Sequence, residues 1–309
     1  MIYTVTLNPS LDYTAAAATM NFGKTNRTKN EYIVPGGKGL NVSVMLSRLG
    51  LPTTALGFAA GFTGKELLRL LKDLDCSCDF IEAKNGFTRI NVKLVSEEVT
   101  EFNGSGITLD EDDLDALKNR ISKLQKTDTL VLSGSIPNGA DRDIYKQLIL
   151  SAPKGVTVVL DTCGEPLASA LECRPFLIKP NIDELRDLFR EPIETLEDIL
   201  FYAKKLQSMG AQNVLISMGA DGALLLTEGG ESYHADVPKG ECKNTVGAGD
   251  SMIAGFLYGF TSFSDYEKAL KYAVAAGSAT AYAVWLAEKP AADALYQALS
   301  TPRAQKASL

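Results

Sequence analysis

The chain has 309 residues, of which 45% are hydrophobic, and a formal net charge of −7. This length supports a large core, and the negative charge argues against nucleic acid or an anionic membrane as a partner. The five cysteines form no C-x-x-C pair, so neither a disulfide framework nor a zinc site is indicated, and we expect a reducing cytoplasm. His234 is the single histidine, expected at the surface, and it leaves almost nothing for Ser–His catalysis or a multi-histidine metal site.

Runs of strand length alternate with helical runs along most of the chain. We predict strands at 2–7, 28–34, 53–58, 79–81, 88–95, 100–103, 129–132, 156–160, 176–178, 213–217, 223–226 and 232–235. We predict helices at 42–49, 64–74, 110–124, 142–150, 182–189, 196–208, 248–260, 265–285 and 290–299. Strands that alternate with helices predict one α/β domain over 1–309, with a mostly parallel sheet flanked by helices on both faces.

Two polar segments, at about 11–35 and 87–104, depart from this rhythm. The second alternates strictly, so that Arg89, Asn91 and Lys93 share one face of a strand, and its end suits an antiparallel hairpin partner. Alternating polar segments that lie far apart in sequence predict a small shared sheet, which would cover a site as a lid. The first residues of the chain are strand-like, with no basic leader or signal-type apolar block, so we expect no signal peptide.

Residues 244–251 read N-T-V-G-A-G-D-S and precede an apolar helical run. Gly247 and Gly249, with Ala248 between them, allow a tight turn with bare N–H groups, to which a helix start adds its unpaired amides and its dipole. Such a site attracts phosphate. Asp250 beside it would repel that ligand, which makes sense if the carboxylate takes a proton from a hydroxyl that attacks the phosphate. The alternative is a helix cap, and the octapeptide alone leaves both interpretations open.

Polar residues also follow the carboxyl ends of several predicted strands, where open α/β sheets bind their ligands. These are 132–137, Asp161, 179–181 and 217–222. Each is a turn when taken alone, but together with the anion site they predict a lined crevice.

Asn181 and Glu184 allow two interpretations that do not exclude each other. In a capping box, Asn181 caps a helix and Glu184 reaches back to it. As oxygen ligands, the same pair suits hydrated Mg²⁺, which prefers few protein ligands and many waters. The spacing alone favours the cap.

The segment Gly36-Gly37-Lys38-Gly39 is not a Walker A loop, which needs four residues between its glycines and Ser or Thr after the lysine. Lys38 at a glycine-rich helix start and Arg89 on the alternating strand are candidates for a second anion site, although either could simply be solvated. Two anion sites predict a kinase that acts on a phosphorylated substrate.

The motifs resemble those of the ribokinase-like (PfkB) carbohydrate kinases along the whole chain, and within that family they are most similar to the 1-phosphofructokinase group. The segments that carry the resemblance are 6–12, 36–41, 88–93, 132–137, 179–184 and 244–251. Tagatose-6-phosphate kinases share most of them. The resemblance implies a ribokinase-like three-layer α/β fold with a small β-sheet lid. Ile107 departs from the family pattern, in which we expect proline, and this touches only the exit from the lid.

The resemblance also implies roles for individual residues. Asp250 would be the catalytic base beside an anion hole of Gly247, Ala248 and Gly249. The implied ATP contacts are Ser217, Met218, Gly219, Ala220, Asp221, Gly222, Gly249 and Asp250, with Gly277 and Ser278 near the adenine. The implied sugar-phosphate contacts are Asp12, Gly37, Lys38, Asn41, Arg89 and Asp250, with Lys38 and Arg89 on the phosphate. Asn181 and Glu184 would organise Mg²⁺ through water.

The activity so implied is ATP-dependent phosphorylation of fructose 1-phosphate to fructose 1,6-bisphosphate, by a homodimer paired through the lid. One alternative is a kinase for tagatose 6-phosphate or another ketose phosphate. A second alternative, a non-catalytic sugar-phosphate sensor, has no use for an intact Asp250.

Overall fold

The computed structural model describes residues 1–305 and builds them into two β-sheets and ten α-helices. The strands are β1 Ile2–Thr6, β2 Ser10–Ala16, β3 Asn30–Gly36, β4 Thr53–Ala59, β5 Cys78–Glu82, β6 Arg89–Val95, β7 Val99–Asn103, β8 Thr129–Ser133, β9 Thr157–Asp161, β10 Leu177–Ile178, β11 Asn213–Ser217, β12 Ala223–Leu226, β13 Ser232–Ala235 and β14 Arg303–Gln305. The helices are α1 Lys38–Leu49, α2 Gly61–Asp73, α3 Glu111–Ile121, α4 Ile144–Ser151, α5 Gly164–Leu171, α6 Ile182–Phe189, α7 Leu196–Ser208, α8 Ala248–Phe263, α9 Tyr266–Ala281 and α10 Lys289–Ala298.

The large sheet has the order β14-β13-β12-β11-β10-β9-β8-β1-β4-β5. The run from β11 to β5 is parallel, and β12 to β14 add antiparallel strands at one edge. Alternate residues of β8 enter two different cores, with Leu130 and Leu132 on one face and Val131 on the other. Helices α3 to α7 cover the first face, and α1 with α8 to α10 cover the second. The predicted three-layer α/β fold is therefore confirmed.

The small sheet has the order β3-β2-β6-β7. Strand β6 pairs with β7 in the predicted antiparallel hairpin, and on its other side it runs parallel to β2. Two segments that lie far apart in sequence thus form one sheet, as their alternation predicts. Strand β2 was not predicted, because Asn8 and Pro9 directly before it indicate the end of a strand and the residues from Ala15 to Val34 are mostly small or polar. Its pairing with both β3 and β6 supplies what local propensity does not.

Three further details differ from the expectations. Helix α5 was not predicted, and it carries Pro166, a residue that disfavours helix interiors, inside its first turn. Helix α9 ends at Ala281 rather than at 285. The next residue, Tyr282, donates from its hydroxyl to the carbonyl of Pro238. The His234 side chain is only 11% exposed, because its ring lies against the backbone of the turn before β12. Within residues 1–305, no helix is long and apolar enough to cross a membrane.

Candidate active site

The first turn of α8 starts from a loop whose shape is fixed by Asn244 and Gly247. Asn244 Oδ1 accepts from the Val246 amide at 3.1 Å, and Asn244 Nδ2 donates to the Val284 carbonyl at 3.0 Å. Gly247 caps the helix with φ 80°, and a Cβ at this position would lie 2.6 Å from Leu286 Cδ2. A side chain here would suffer both strain and a clash, so the turn requires glycine. The Ala248 amide donates to the Thr245 carbonyl at 3.2 Å, whereas the next amides of the first helical turn have no intrahelical acceptor, so this helix start is suited to an anion.

Asp250 lies in that first turn and is 6% exposed. Asn41, from the first turns of α1, donates from Nδ2 to Asp250 Oδ2 at 2.7 Å. Burial raises the pKa of Asp250 to about 6, helped by the negative charge of Asp161 and opposed by the Asn41 hydrogen bond and two lysines. A carboxylate whose pKa is near neutrality is largely ionised at neutral pH and still accepts a proton readily, as a general base must. The carboxylate is thus not merely a cap, since no side-chain cap bond is present at this helix start.

A cluster of charged side chains around the buried Asp161 lies next to Asp250. Asp161, at the end of β9, is 1% exposed, with Oδ2 at 3.4 Å from Lys38 Nζ and Oδ1 at 3.3 Å from Lys179 Nζ. Burial lowers the pKa of Lys38, but the charges of Asp161, Glu184 and Asp250 outweigh it and raise the pKa above its ordinary value. Both lysines therefore lie beside Asp161 at the carboxyl edge of the sheet.

Sequence reasoning placed Lys179 among the residues that line the crevice and gave it no role of its own. It follows β10 directly and is 5% exposed, and a Cβ placed on Gly249 would lie 3.1 Å from its Nζ. A cation therefore sits immediately beside the glycine-rich turn, where it favours a bound phosphate. The sequence feature that could have indicated this position is a lysine at the end of a buried strand, because lysine is almost never fully buried without a charged partner.

Asn181 and Glu184 form the capping box at the start of α6. Asn181 Oδ1 accepts from the Glu184 amide at 2.8 Å, and Glu184 Oε2 accepts from the Asn181 amide at 2.9 Å. The second carboxylate oxygen, Glu184 Oε1, is 3.7 Å from Lys38 Nζ. Residues 1–305 contain no cluster of three or more His, Cys, Asp or Glu side chains that could hold a metal. The oxygens that the box leaves available fit a hydrated Mg²⁺ ion that takes few ligands from the protein.

A cavity of about 160 Å³ opens between the small sheet and the main domain. Its lining includes Asp12, Asn41, Asn91, Lys93, Asn244 and Trp285. Asp12 Oδ1 accepts from Ser10 Oγ at 2.6 Å and from Asn91 Nδ2 at 2.9 Å, while burial raises the pKa of Asp12. A Cβ on Gly36 would come 2.3 Å from Asp12 Oδ2, and Gly37 has φ 122°, so the glycine pair allows β3 to pass this carboxylate on its way into α1.

Arg89 lies at the start of β6 with its guanidinium incompletely paired. Its Nη1 donates to the Gly104 carbonyl at 3.5 Å, and its buried Nε has no acceptor among the described residues. A guanidinium whose buried Nε–H lacks an acceptor is suited to an anionic ligand. Lys38, the other candidate for this anion site, lies instead with Asp161 and Glu184.

The segment 217–222 is a tight turn after β11. The Met218 amide donates to the Gly222 carbonyl at 2.9 Å, and Gly222 has φ 91° with a would-be Cβ only 2.0 Å from the Ala235 carbonyl oxygen. The Ser217 amide donates to the Pro180 carbonyl at 3.1 Å, which places this turn beside the residues that follow β10. The strand ends therefore meet at one edge, as the crevice prediction requires.

Gly277 brings α9 against the start of α8. A Cβ there would lie 2.5 Å from Met252 Cγ and 3.1 Å from the Ala248 carbonyl oxygen. Gly277 and the buried Ser278 thus lie beside the glycine-rich turn, and contact with an adenine stays a prediction.

Comparison with known proteins gives consistent relatives. The family model described as pfkB family carbohydrate kinase matches residues 5–284. A 1-phosphofructokinase of Bacillus subtilis is 44% identical over 283 residues, which are 91% of this chain and 93% of that protein. A D-tagatose-1-phosphate kinase of Bacillus licheniformis is 37% identical over 93% of this chain and 95% of that protein.

A solved structure supports the same relationship. Phosphofructokinase-2 of Escherichia coli in complex with fructose-6-phosphate superposes with a TM-score of 0.90 at 31% identity, over 96% of this chain and 98% of that one. The same enzyme is also known in a tetrameric inhibited form.

Proposed function

This chain belongs to the pfkB family of carbohydrate kinases and is an ATP-dependent sugar kinase, and we propose that it phosphorylates fructose 1-phosphate to fructose 1,6-bisphosphate with Asp250 as general base. The observation that carries the proposal is the position of Asp250. Its carboxylate is buried at a glycine-rich helix start, is bonded to Asn41 and has a pKa raised to about 6. A sensor that only binds a sugar phosphate gains nothing from a base in this environment.

The proposed reaction is an in-line transfer of the γ-phosphoryl group. Asn41 donates to Asp250 Oδ2, so the other carboxylate oxygen, Oδ1, is the proton acceptor. It takes the proton from the 6-hydroxyl of the sugar while the hydroxyl oxygen forms its bond to the γ-phosphorus. The bond from phosphorus to the β,γ-bridging oxygen breaks, and ADP leaves with that oxygen. The amides at the α8 start and the Lys179 ammonium stabilise the charge on the transferring group.

The nucleotide is proposed to lie along the carboxyl edge of the sheet, on the turns that follow β10 and β11. Residues 217–222 and Gly249 would contact ATP, and Gly277 and Ser278 would lie near its adenine. When bound, Mg²⁺ would be held through water by Asn181 and Glu184 and would neutralise charge on the phosphates. The small sheet is proposed to act as a lid that excludes water from the reaction.

The substrate is proposed from the relatives and from the second anion site. Both the Bacillus subtilis and the Bacillus licheniformis relatives are named for ketose 1-phosphates. The sugar would enter the cavity with its hydroxyls on Asp12, Gly37 and Asn41, and Arg89 and Lys38 would supply charge for its phosphate. The second candidate is tagatose 1-phosphate, which differs from fructose 1-phosphate only in configuration at carbon 4. Tagatose 6-phosphate is a third.

A coupled assay of ADP release tests the proposal. MgATP is supplied with fructose 1-phosphate, tagatose 1-phosphate, tagatose 6-phosphate, fructose 6-phosphate or ribose, and the product is identified by its phosphate positions. We expect the highest kcat/KM with fructose 1-phosphate. A higher value with a tagatose phosphate would move the assignment to that sugar, and the absence of phosphoryl transfer to every sugar would refute the catalytic role of Asp250.

The small sheet is also proposed to pair with the small sheet of a second copy. On one face of its strands, Ile33, Ile90 and Phe102 expose large apolar side chains to solvent. Covering such a face favours association, because apolar surface is removed from water. Light scattering of the purified chain tests this proposal, and we expect the mass of a dimer.

The five free thiols suit a reducing cytoplasm as the compartment.

A further inference from the structure

Lys93 is a residue of the small sheet that contacts the main domain at the loop before α8. Its Nζ lies 3.3 Å from Asn244 Oδ1 and 3.5 Å from Glu101 Oε1 on the neighbouring strand β7. The side chain is 25% exposed and lines the cavity. A cation on the small sheet therefore bonds to the segment that leads into the glycine-rich turn.

Asn244 connects Lys93 to the glycine-rich turn through its hydrogen bonds. Its Nδ2 donates to the Val284 carbonyl, which fixes the orientation of the amide so that Oδ1 faces both the Val246 amide and Lys93. Its own backbone amide donates to the Ala281 carbonyl at 3.1 Å, at the end of α9. An asparagine oxygen that accepts from the amide two residues ahead holds a local turn. That turn ends one residue before Gly247.

The charge on Lys93 strengthens the arrangement. A hydrogen bond from an ammonium is shorter and stronger than one between neutral groups, and it polarises the amide that accepts it. Glu101 keeps the ammonium on the inner side of the small sheet, since β6 and β7 pair Lys93 directly with Glu101. The contact thus depends on the small sheet being seated against the main domain.

We propose that Lys93 is a positioning residue for phosphoryl transfer, which holds Asn244 and thereby the turn at Gly247–Asp250 when the small sheet is seated against the main domain. This inference rests on the proposed kinase function and adds a residue to it. Lys93 acts through Asn244, and the competing role, a direct ligand of the sugar phosphate, would act independently of Asn244.

A double-mutant cycle separates these roles. The variants Lys93→Met, Asn244→Ala and the combination of both are assayed with MgATP and fructose 1-phosphate, with Lys93→Arg as the conservative variant. We expect Lys93→Met to lower kcat about tenfold with little change in KM for MgATP, and Lys93→Arg to recover most of the loss. The double variant should be no slower than Asn244→Ala alone, because interacting residues give non-additive effects.

Effects that multiply in the double variant would overturn the inference, and so would a rise in the sugar-phosphate KM with unchanged kcat. Lys146→Met is the matched control, since this lysine pairs with Glu172 on the surface of the main domain. It should leave kcat and both KM values unchanged. If Lys93→Met does not fold, Lys93→Gln replaces it in the cycle.

Hydrogen exchange of the ligand-free protein gives a readout that needs no reaction. We expect the Val246 amide to exchange several times faster in Lys93→Met than in the parent chain, and Lys146→Met to match the parent. Unchanged exchange in a chain that phosphorylates fructose 1-phosphate would defeat the positioning role alone. Faster exchange in a chain that transfers no phosphate would support the contact and defeat the proposed function.

Discussion

Asn41 Nδ2 donates to Asp250 Oδ2 at 2.7 Å, which joins two helix starts that are 209 residues apart in sequence. One belongs to α1, at the glycine-rich entry Gly36–Gly37, and the other to α8. The bond holds one carboxylate oxygen and leaves the second for a ligand. The bond also opposes the effect of burial on the pKa of Asp250, because a hydrogen bond to the carboxylate favours the ionised form. The two sequence motifs thus form one site rather than two.

Replacement of the base tests this arrangement first. We expect Asp250→Asn to lose ~10²-fold or more in kcat, because the amide accepts no proton from the attacking hydroxyl. Nucleotide binding, measured by calorimetry with a non-hydrolysable ATP analogue, should persist, since the amides of the turn remain. The control is Asp293→Asn on α10, whose partners are Tyr272 and Lys289, and it should keep the parent kcat. A kcat for Asp250→Asn close to that of the parent would remove Asp250 from the mechanism.

The pH dependence of turnover reports the pKa of the same carboxylate. Because burial and Asp161 raise this pKa to about 6, we expect kcat/KM to rise with pH through about 6 and then to level off. Asn41→Ala removes a bond that lowers the pKa, so the acid limb should move to higher pH. Asp161→Asn removes a like charge, so the limb should move to lower pH. Shifts in the same direction for both variants would contradict this account of the site.

The raised pKa also predicts a cost in stability. The folded chain holds the Asp250 proton more tightly than the unfolded chain, whose carboxyl has the ordinary pKa of 3.8, so the free energy of unfolding falls as pH rises from about 4 to 6. The ionised carboxylate then destabilises the fold by about 3 kcal/mol above pH 6. We expect Asp250→Asn to be more stable than the parent chain at pH 8, with most of the gain lost by pH 4.5.

Urea unfolding at a series of pH values measures this difference. In the Asp250→Asn variant, the oxygen of the new side-chain amide can still accept from Asn41, so the comparison isolates the charge. A gain of the same size at pH 4.5 and pH 8 would show that packing rather than ionisation is responsible.

The sequence predicted the layers and the motifs better than the contacts between them. Strict alternation in β6 and apolar runs such as β8 identify their elements locally, whereas β2 becomes a strand only through partners on both sides. The capping box of Asn181 and Glu184 is local and was predicted. The placement of Lys179, directly after β10, beside Gly249 at the start of α8 depends on how distant segments fold together, so no local spacing in the sequence could reveal it.

Substitution of Arg89 tests the second anion site. Its buried Nε lacks an acceptor among residues 1–305, so a phosphate would gain a charge-assisted hydrogen bond that is ready to form. We expect Arg89→Ala to raise the KM for fructose 1-phosphate by about tenfold to a hundredfold, with a smaller effect on kcat. Arg142→Ala is the control, since Arg142 pairs with Glu165 at the surface. An unchanged KM would place the sugar phosphate away from Arg89.

Lys179 and Lys38 share Asp161, and substituting each alone separates the two anion sites. Lys179 Nζ lies beside Gly249, so we expect Lys179→Met to lower kcat by about a hundredfold, the usual cost of losing one group that stabilises developing charge. Lys38→Met should instead raise the KM for fructose 1-phosphate if Lys38 serves the sugar phosphate. Each variant leaves Asp161 with one ammonium, so a general loss of buried charge pairing would affect both alike. Steady-state kinetics in MgATP and in sugar phosphate distinguish the outcomes. Identical changes in both variants would mean that the two lysines serve Asp161 rather than two separate phosphates.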